Sequence, residues 1–150
     1  PMYNVFTNQL QGYQQIYWDT DTVSFVKKMM PGMKAKDAVF QIGAKDAPET
    51  WLVEGYATGL SVRDAIRTSG LHARVIVCFS AHNLVSVANK LQGKRFIFAD
   101  NDKSETGKKC AEQTGLPWTM SDDEGFDAND MHQFYGLFPV IKKIVELRQK

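Results

Sequence analysis

The chain has 150 residues, of which 43% are hydrophobic and 23% charged, and its formal net charge is +1 at pH 7. This length and composition are typical of one globular domain with a sizeable core. No apolar run approaches the ~20 residues that span a bilayer, and no signal peptide is present, so we expect a cytoplasmic protein without membrane contacts. The near-neutral charge excludes a global field that attracts nucleic acid, so such binding would need a local basic patch.

Residues 1–48 combine aromatic side chains with short strand-like runs. Runs at 15–18, 23–26 and 39–42 predict a small antiparallel sheet, which we interpret as a β-rich N-terminal subdomain ahead of a main domain at 49–150. Four lysines cluster in this region, namely Lys27, Lys28, Lys34 and Lys36. They either form a solvated face or bind the phosphates of a nucleic acid or nucleotide.

From Thr50 onwards, strand-like and helix-like patterns alternate, which predicts an α/β fold with a parallel sheet and covering helices. The four apolar runs lie at 51–53, 75–79, 96–99 and near 118–120. Asn83 precedes the helix after the second run and is most simply its N-cap. The two cysteines, Cys78 and Cys110, are predicted to be buried thiols, because their spacing suits neither a zinc site nor a disulfide framework.

Acidic residues follow two of these runs directly. Asp100 and Asp102 come after the run at 96–99, and Glu54 comes after the run at 51–53. If the two strands are neighbours in a parallel sheet, all three carboxylates face one crevice at the carboxyl edge, where ligands bind in such sheets. Two close aspartates repel each other unless a cation lies between them, and oxygen ligands suit magnesium. The alternative is that these acids are ordinary loop residues.

Charged residues near these acids extend the candidate site. Lys103 and Lys108 offset the negative charge of the acids, bind phosphates or are simply solvated. The acids of the segment 122–130 follow the fourth apolar run and can face the same crevice. Crowding predicts that at least one carboxylate has a raised pKa in the absence of metal. It also predicts that neutralising Asp102 does not destabilise the metal-free protein.

The stretches WLVEG at 51–55 and FIFADND at 96–102 resemble the Toprim domain of bacterial-type primases, topoisomerases and some nucleases. ATGLSV, FSAHNL and DANDMHQFYGL, with GYQQIYWD and KKMMPGMKAKDAVFQIG in the N-terminal part, are similar to the primases of phages and plasmids, so the resemblance covers nearly the whole chain. It implies a Toprim-like, mostly parallel sheet of about four strands with helices on both faces. It also implies a role for Asn83 near the site.

The resemblance implies the catalytic core of a DNA primase-like protein of phage or plasmid replication. Such a protein makes RNA primers by magnesium-dependent nucleotidyl transfer from ribonucleotides on a single-stranded DNA template. Asp100 and Asp102 would hold Mg²⁺, or Mn²⁺ as a substitute, together with Asp127 or, as second choice, Asp130. Glu54 would hold a metal or act as general acid or base.

Primases of this type usually carry a zinc-binding module, which the cysteine pattern does not provide, and the chain starts at Pro1. We therefore expect a fragment with low activity alone, whose partners are zinc-binding and helicase domains or a replicative helicase. Two alternatives stay open. One is a Toprim nuclease that uses the same acids and a water nucleophile, and the other is a non-catalytic module that binds single-stranded DNA or a replication partner.

Overall fold

The computed structural model describes residues 1–150 and contains nine strands and five helices. The strands are β1 (Met2–Asn4), β2 (Leu10–Gly12), β3 (Gln14–Asp19), β4 (Ser24–Met29), β5 (Ala38–Ile42), β6 (Glu49–Val53), β7 (Ala73–Val77), β8 (Lys94–Phe98) and β9 (Trp118–Thr119). The helices are α1 (Tyr56–Thr68), α2 (Ala81–Lys90), α3 (Thr106–Thr114), α4 (Ala128–Tyr135) and α5 (Phe138–Gln149). None of these helices has the length and apolar character that crossing a bilayer requires.

The main sheet has seven strands in the order β2-β1-β5-β7-β6-β8-β9. Strands β7, β6, β8 and β9 run parallel, and they correspond to the four apolar runs predicted from the sequence. Strands β5, β1 and β2 extend the sheet in antiparallel fashion. The predicted α/β class is therefore confirmed, but a sheet of about four strands is wrong, because three N-terminal strands add to it.

The N-terminal segment divides between two sheets. Strands β3 and β4 pair with each other as predicted and form a separate two-stranded hairpin. Strand β5, however, pairs with β7 and with β1. The physical reason is burial, since Ala38 and Val39 lie in the core and need a neighbour on the main sheet. The division at residue 48 stays a prediction, although the main sheet continues across it.

Helices cover both faces of the parallel strands, because successive side chains of a strand point to opposite sides. Trp51 and Val53 pack with α1, α4 and α5, and Trp51 stacks on Phe96 with ring centroids 4.8 Å apart. Leu52 packs with α2 and α3 on the other face. Both free cysteines are buried, as predicted. All five residues of β6 are buried, so it is the central strand of the core.

An ion-pair network anchors the amino end of β6. Glu49 is 7% exposed, and its carboxylate accepts hydrogen bonds from Nε and Nη2 of Arg148, both at 2.8 Å, and from Nζ of Lys94 at 2.8 Å. The hydrogen bonds from Arg148 lower the pKa of Glu49, although burial acts in the opposite direction, and Lys94 lowers the pKa further. The network links α5 to the amino ends of β6 and β8, which lie at the opposite end of these strands from the candidate site.

We predict that Arg148→Met lowers the free energy of unfolding at pH 7 by about 1–3 kcal/mol, because it leaves a buried carboxylate with lost charged hydrogen bonds. The lowered pKa of Glu49 means that this stabilisation is present above its ordinary value of 4.5 and is lost as pH falls through the lower folded value. Urea unfolding of wild type and variant between pH 3 and 7 measures both effects. Glu146→Gln is the control, because its pair with Lys142 is exposed. Equal effects of the two substitutions would contradict the prediction.

Candidate functional site

Glu54 and the Asp100–Asp102 segment lie at the same edge of the sheet. Strands β6 and β8 are hydrogen-bonded parallel neighbours with Val53 opposite Phe98. Glu54 directly follows Val53, and Asp100 comes two residues after Phe98. Both acids therefore leave the carboxyl ends of adjacent strands, where an α/β sheet usually binds its ligand.

Asp100 is the most strongly perturbed carboxyl group of this edge. Burial raises its pKa to about 7, and the charges of Asp127 and Glu54 act in the same direction. Its Oδ1 atom is buried and has no hydrogen-bond partner. A buried acceptor without a partner is costly, and a bound cation at this position would satisfy it.

Glu54 shares this environment. Burial raises its pKa, and the charge of Asp102 adds to the increase, whereas the ammonium of Lys27 lowers it. Lys27 also lowers the pKa of Asp100. The expectation that at least one carboxylate has a raised pKa is confirmed for Glu54 and for Asp100.

Asp102 has a structural task at the start of α3. Its carboxylate accepts a hydrogen bond from the Ser104 hydroxyl and bonds of 3.3 Å each from the backbone N–H groups of Thr106 and Gly107. The Ser104 bond, together with the backbone bonds, lowers its pKa. The helix start also packs tightly, because a Cβ atom on Gly107 would lie 2.4 Å from the carbonyl oxygen of Asp100. That neutralising Asp102 leaves the metal-free protein as stable stays a prediction, and these hydrogen bonds, which favour the charged carboxylate, argue against it.

Asp127 and Asp130 form a capping box at the start of α4. Asp127 Oδ1 accepts from the Asp130 N–H at 2.9 Å, and Asp130 Oδ2 accepts from the Asp127 N–H at 3.0 Å. The hydroxyl of Thr58 donates to Asp127 Oδ2 at 2.8 Å. The charge of Asp127 raises the pKa of Asp100, so Asp127 is the member of the box that acts on the candidate site.

The six candidate lysines occupy different surroundings. Lys27 lies on β4 within electrostatic range of Glu54 and Asp100. Its neighbour Lys28 is directed to the other side of the hairpin, where its ammonium lies 5.6 Å from the centroid of the Tyr17 ring. The other four lie on the loop before β5 or beside Asp102 and α3, namely Lys34, Lys36, Lys103 and Lys108. Lys27 is the candidate whose charge acts on Glu54 and Asp100, although it forms no ion pair with either.

Asn83 has a different position from the one predicted. The N-cap of α2 is Ser80, whose hydroxyl accepts from the Asn83 N–H at 3.2 Å, so the assignment of Asn83 as N-cap is wrong. The buried Asn83 side chain accepts from the Asp37 N–H at 2.7 Å and donates to the carbonyls of Ala38 and Cys78 at 2.9 and 2.8 Å. Its side-chain amide links α2 to β5 and to the end of β7. These hydrogen bonds use the donor and acceptor groups with which Asn83 would bind a ligand.

Two residues near the acids escaped sequence reasoning. Thr58 binds Asp127, and the only signal for it was its place in the ATGLSV stretch. Phe79 has a φ of 64° and donates its N–H to the carbonyl of Glu54 at 2.8 Å. A positive φ at a bulky residue is strained, and such strain is concentrated at functional sites. The residue type does not predict this backbone conformation of Phe79.

The acids do not form a ready-made metal cage. No group of three or more histidine, cysteine, aspartate or glutamate side chains is arranged as metal ligands. Asp102 and Asp127 accept hydrogen bonds from N–H groups at the starts of α3 and α4, which leaves Glu54 and Asp100 as the freer carboxylates. The donor set nevertheless fits magnesium, because all its members are oxygen ligands, Asp100 has an unpaired oxygen, and Mg²⁺ is often bound by one or two carboxylates plus waters and phosphates.

Comparison with protein-family models, with curated proteins and with solved structures finds no match for this chain.

We predict that two substitutions have opposite effects on the stability of the metal-free protein at pH 8. Asp100→Asn should raise the free energy of unfolding by about 1 kcal/mol or more, because it removes a desolvated charge that neighbouring acids repel. Asp102→Asn should lower it by about 1 kcal/mol, because the neutral amide caps α3 more weakly.

Thermal unfolding of both variants, with and without Mg²⁺, tests this pair of predictions. A ligand that binds the folded state raises the melting temperature, so Mg²⁺ should stabilise the wild type and have a smaller effect on Asp100→Asn. Asp122→Asn is a suitable control, because its side chain is 88% exposed. Destabilisation by Asp100→Asn in the absence of metal would show that this aspartate has a structural role.

Proposed function

We propose that this chain is the Toprim-type catalytic core of a DNA primase-like protein. It would join ribonucleotides into RNA primers on single-stranded DNA by magnesium-dependent nucleotidyl transfer. The observation that carries the proposal is the desolvated Asp100, with an unpaired oxygen, beside Glu54 and Asp127 at the carboxyl edge of the parallel strands. The choice of a primase rests on the resemblance of the acid-bearing stretches and their flanks, which extends over nearly the whole chain.

Each residue of the site has a role in this reaction. Glu54, Asp100 and Asp102 would hold Mg²⁺, with Asp127 as a further acid, and Mn²⁺ is a possible substitute. The metal would supply neutralisation of phosphate charge and a lower pKa for the attacking hydroxyl. Where Glu54 does not hold a metal, it would instead act as general acid or base for that hydroxyl, a role that its raised pKa suits.

Lys27 would bind a phosphate of the template strand beside the acids. Its ammonium already lies within electrostatic range of Glu54 and Asp100, so a phosphate brought to these acids would come close to it. A lysine acts here as a point charge and contributes affinity without sequence specificity. Lys28 on the opposite face of the hairpin would take no part in this contact.

The partners of the proposed activity are a single-stranded DNA template and ribonucleotides. Zinc-binding and helicase domains, or a separate replicative helicase, would complete the template surface. With a net charge of +1 the chain has little long-range attraction for DNA. We therefore expect slow primer synthesis by this chain alone.

The proposal is tested with a labelled single-stranded template, ribonucleotides and Mg²⁺ or Mn²⁺. We predict short RNA products whose rate falls by about 100-fold or more in Asp100→Asn, since removing a metal-binding acid removes transition-state stabilisation. Lys27→Gln should reduce the rate by about 10-fold, the loss of one charge contact to phosphate, whereas the matched control Lys28→Gln should leave it unchanged.

The products of the same assay separate the alternatives. A shortened template without RNA products would identify a nuclease that uses the same acids. Template binding without any metal-dependent product would identify a non-catalytic module. Either result would contradict the proposed primase activity.

A further inference from the structure

The β3–β4 hairpin has two different faces. Side chains alternate along a strand, and directly paired residues of an antiparallel ladder share a face. The register pairs Ile16 with Lys27 and Trp18 with Phe25, so these four side chains lie on one face. Tyr17 lies between them in sequence and therefore on the opposite face. We call the face with Ile16, Trp18, Phe25 and Lys27 the site face.

The site face is directed towards the acidic edge of the main sheet. Ile16 borders a cavity of about 230 Å³ together with Phe40 on β5, Tyr56 at the start of α1 and Phe79. Lys27, opposite Ile16 in the ladder, lies within electrostatic range of Glu54. The aromatic pair comes next along the ladder, so it continues the same face away from the acids towards the tip.

Trp18 and Phe25 expose aromatic surface that the fold does not use. Trp18 is 51% exposed and Phe25 68% exposed, and their rings meet edge to face with centroids 5.1 Å apart. Such a pair adds only about 0.2–1 kcal/mol to a hairpin. Since no helix covers this two-stranded sheet, the ring faces stay open to solvent. Open aromatic faces next to a lysine are the elements from which single-strand binding surfaces are built.

We propose that the site face binds a single-stranded nucleic acid, with bases stacked on Trp18 and Phe25 and a phosphate held by Lys27. Charge complementarity favours this occupant over a protein, because the ladder positions of the site face contain a lysine and no acidic residue. The strand then leads from the hairpin tip to the acids, so the inference deepens the proposed function by identifying where the template lies. Stacking is tolerant of sequence, because every base has an aromatic face.

The test measures binding of a fluorescently labelled oligo-dT strand by anisotropy, at low salt and without divalent metal. Trp18→Leu and Phe25→Leu should each weaken binding by about 5-fold or more, because they keep apolar bulk but remove a stacking surface. Trp18→Phe should retain most of the affinity. Tyr17→Leu is the matched control, since it removes an exposed aromatic ring from the other face of the same hairpin and should leave binding unchanged.

A second readout observes the contact directly. The chain has three tryptophans, and Trp51 is fully buried, so a Trp118→Phe background leaves Trp18 as the tryptophan accessible to a ligand. Stacking of thymine bases should quench its fluorescence with the same midpoint as the anisotropy titration. Absence of quenching at saturation would overturn the proposal.

Other outcomes would also overturn it. Equal binding by Trp18→Leu and wild type, or equal losses in Trp18→Leu and Tyr17→Leu, would mean that stacking on the site face does not contribute. Self-association that depends on Trp18, without oligo-dT binding, would assign the face to a second copy of the chain. Asp100→Asn separates this inference from the proposed function, because it should lack activity while it binds the strand at least as tightly as wild type, since Lys27 loses one of its counter-charges.

Discussion

The parallel pairing of β6 with β8 is the constraint on which the candidate site depends. The ladder sets Val53 opposite Phe98, so the residues that follow must emerge at one edge. A slip of one residue would turn Trp51 and Val53 to the wrong face of the sheet, away from α1, α4 and α5. Because β6 is buried throughout, the register is strongly specified, and with it the distance between Glu54 and Asp100.

The fold holds several carboxylates together by tying some of them to helix starts. Asp102 accepts hydrogen bonds from the first N–H groups of α3 and Asp127 caps α4, and the positive end of a helix stabilises a negative charge. Asp100 has no such cap, and burial among acids raises its pKa to about 7. The caps thus place the charges in the crevice at low cost, and the remaining repulsion is concentrated on one residue. A bound cation would relieve this repulsion, so the arrangement suits a cation site at this edge of the sheet.

Much of the fold follows from patterns that a sequence displays. Strands β6, β7 and β8 each contain a short apolar run that is buried, whereas β9 is half-buried at the edge of the sheet. Their alternation with helices predicts a parallel sheet with covering helices. The partner of β5 was not predictable, because a strand of type AVFQI fits an N-terminal sheet as well as the edge of β7. The assignment of Asn83 failed for a similar reason. Asn, Ser and Asp all cap helices, and which of them does so depends on backbone direction, here set by Ser80.

The acids of the site were predictable as a group, but not their individual states. Glu54, Asp100 and Asp102 follow apolar runs, and that position alone brings them to one edge. Their burial and hydrogen bonds depend on α3 and α4, whose starts contact the strand ends only in the folded chain. The contribution of Lys27 was equally hidden, since it comes from a hairpin that the sequence links to the site by no local pattern.

Lys27 connects the two parts of the molecule in a way that depends on charge. In the metal-free protein its ammonium partly offsets Glu54 and Asp100, so the hairpin and the acidic edge attract each other. An isolated two-stranded hairpin is only marginally stable, so this attraction and the contacts of Ile16 help to hold it in place. Once the carboxylates are neutralised, Lys27 loses these counter-charges and its ammonium becomes available to a phosphate. Charge at the acidic edge and affinity for a nucleic-acid strand on the hairpin are then linked through one side chain, and linkage of this kind acts equally in both directions.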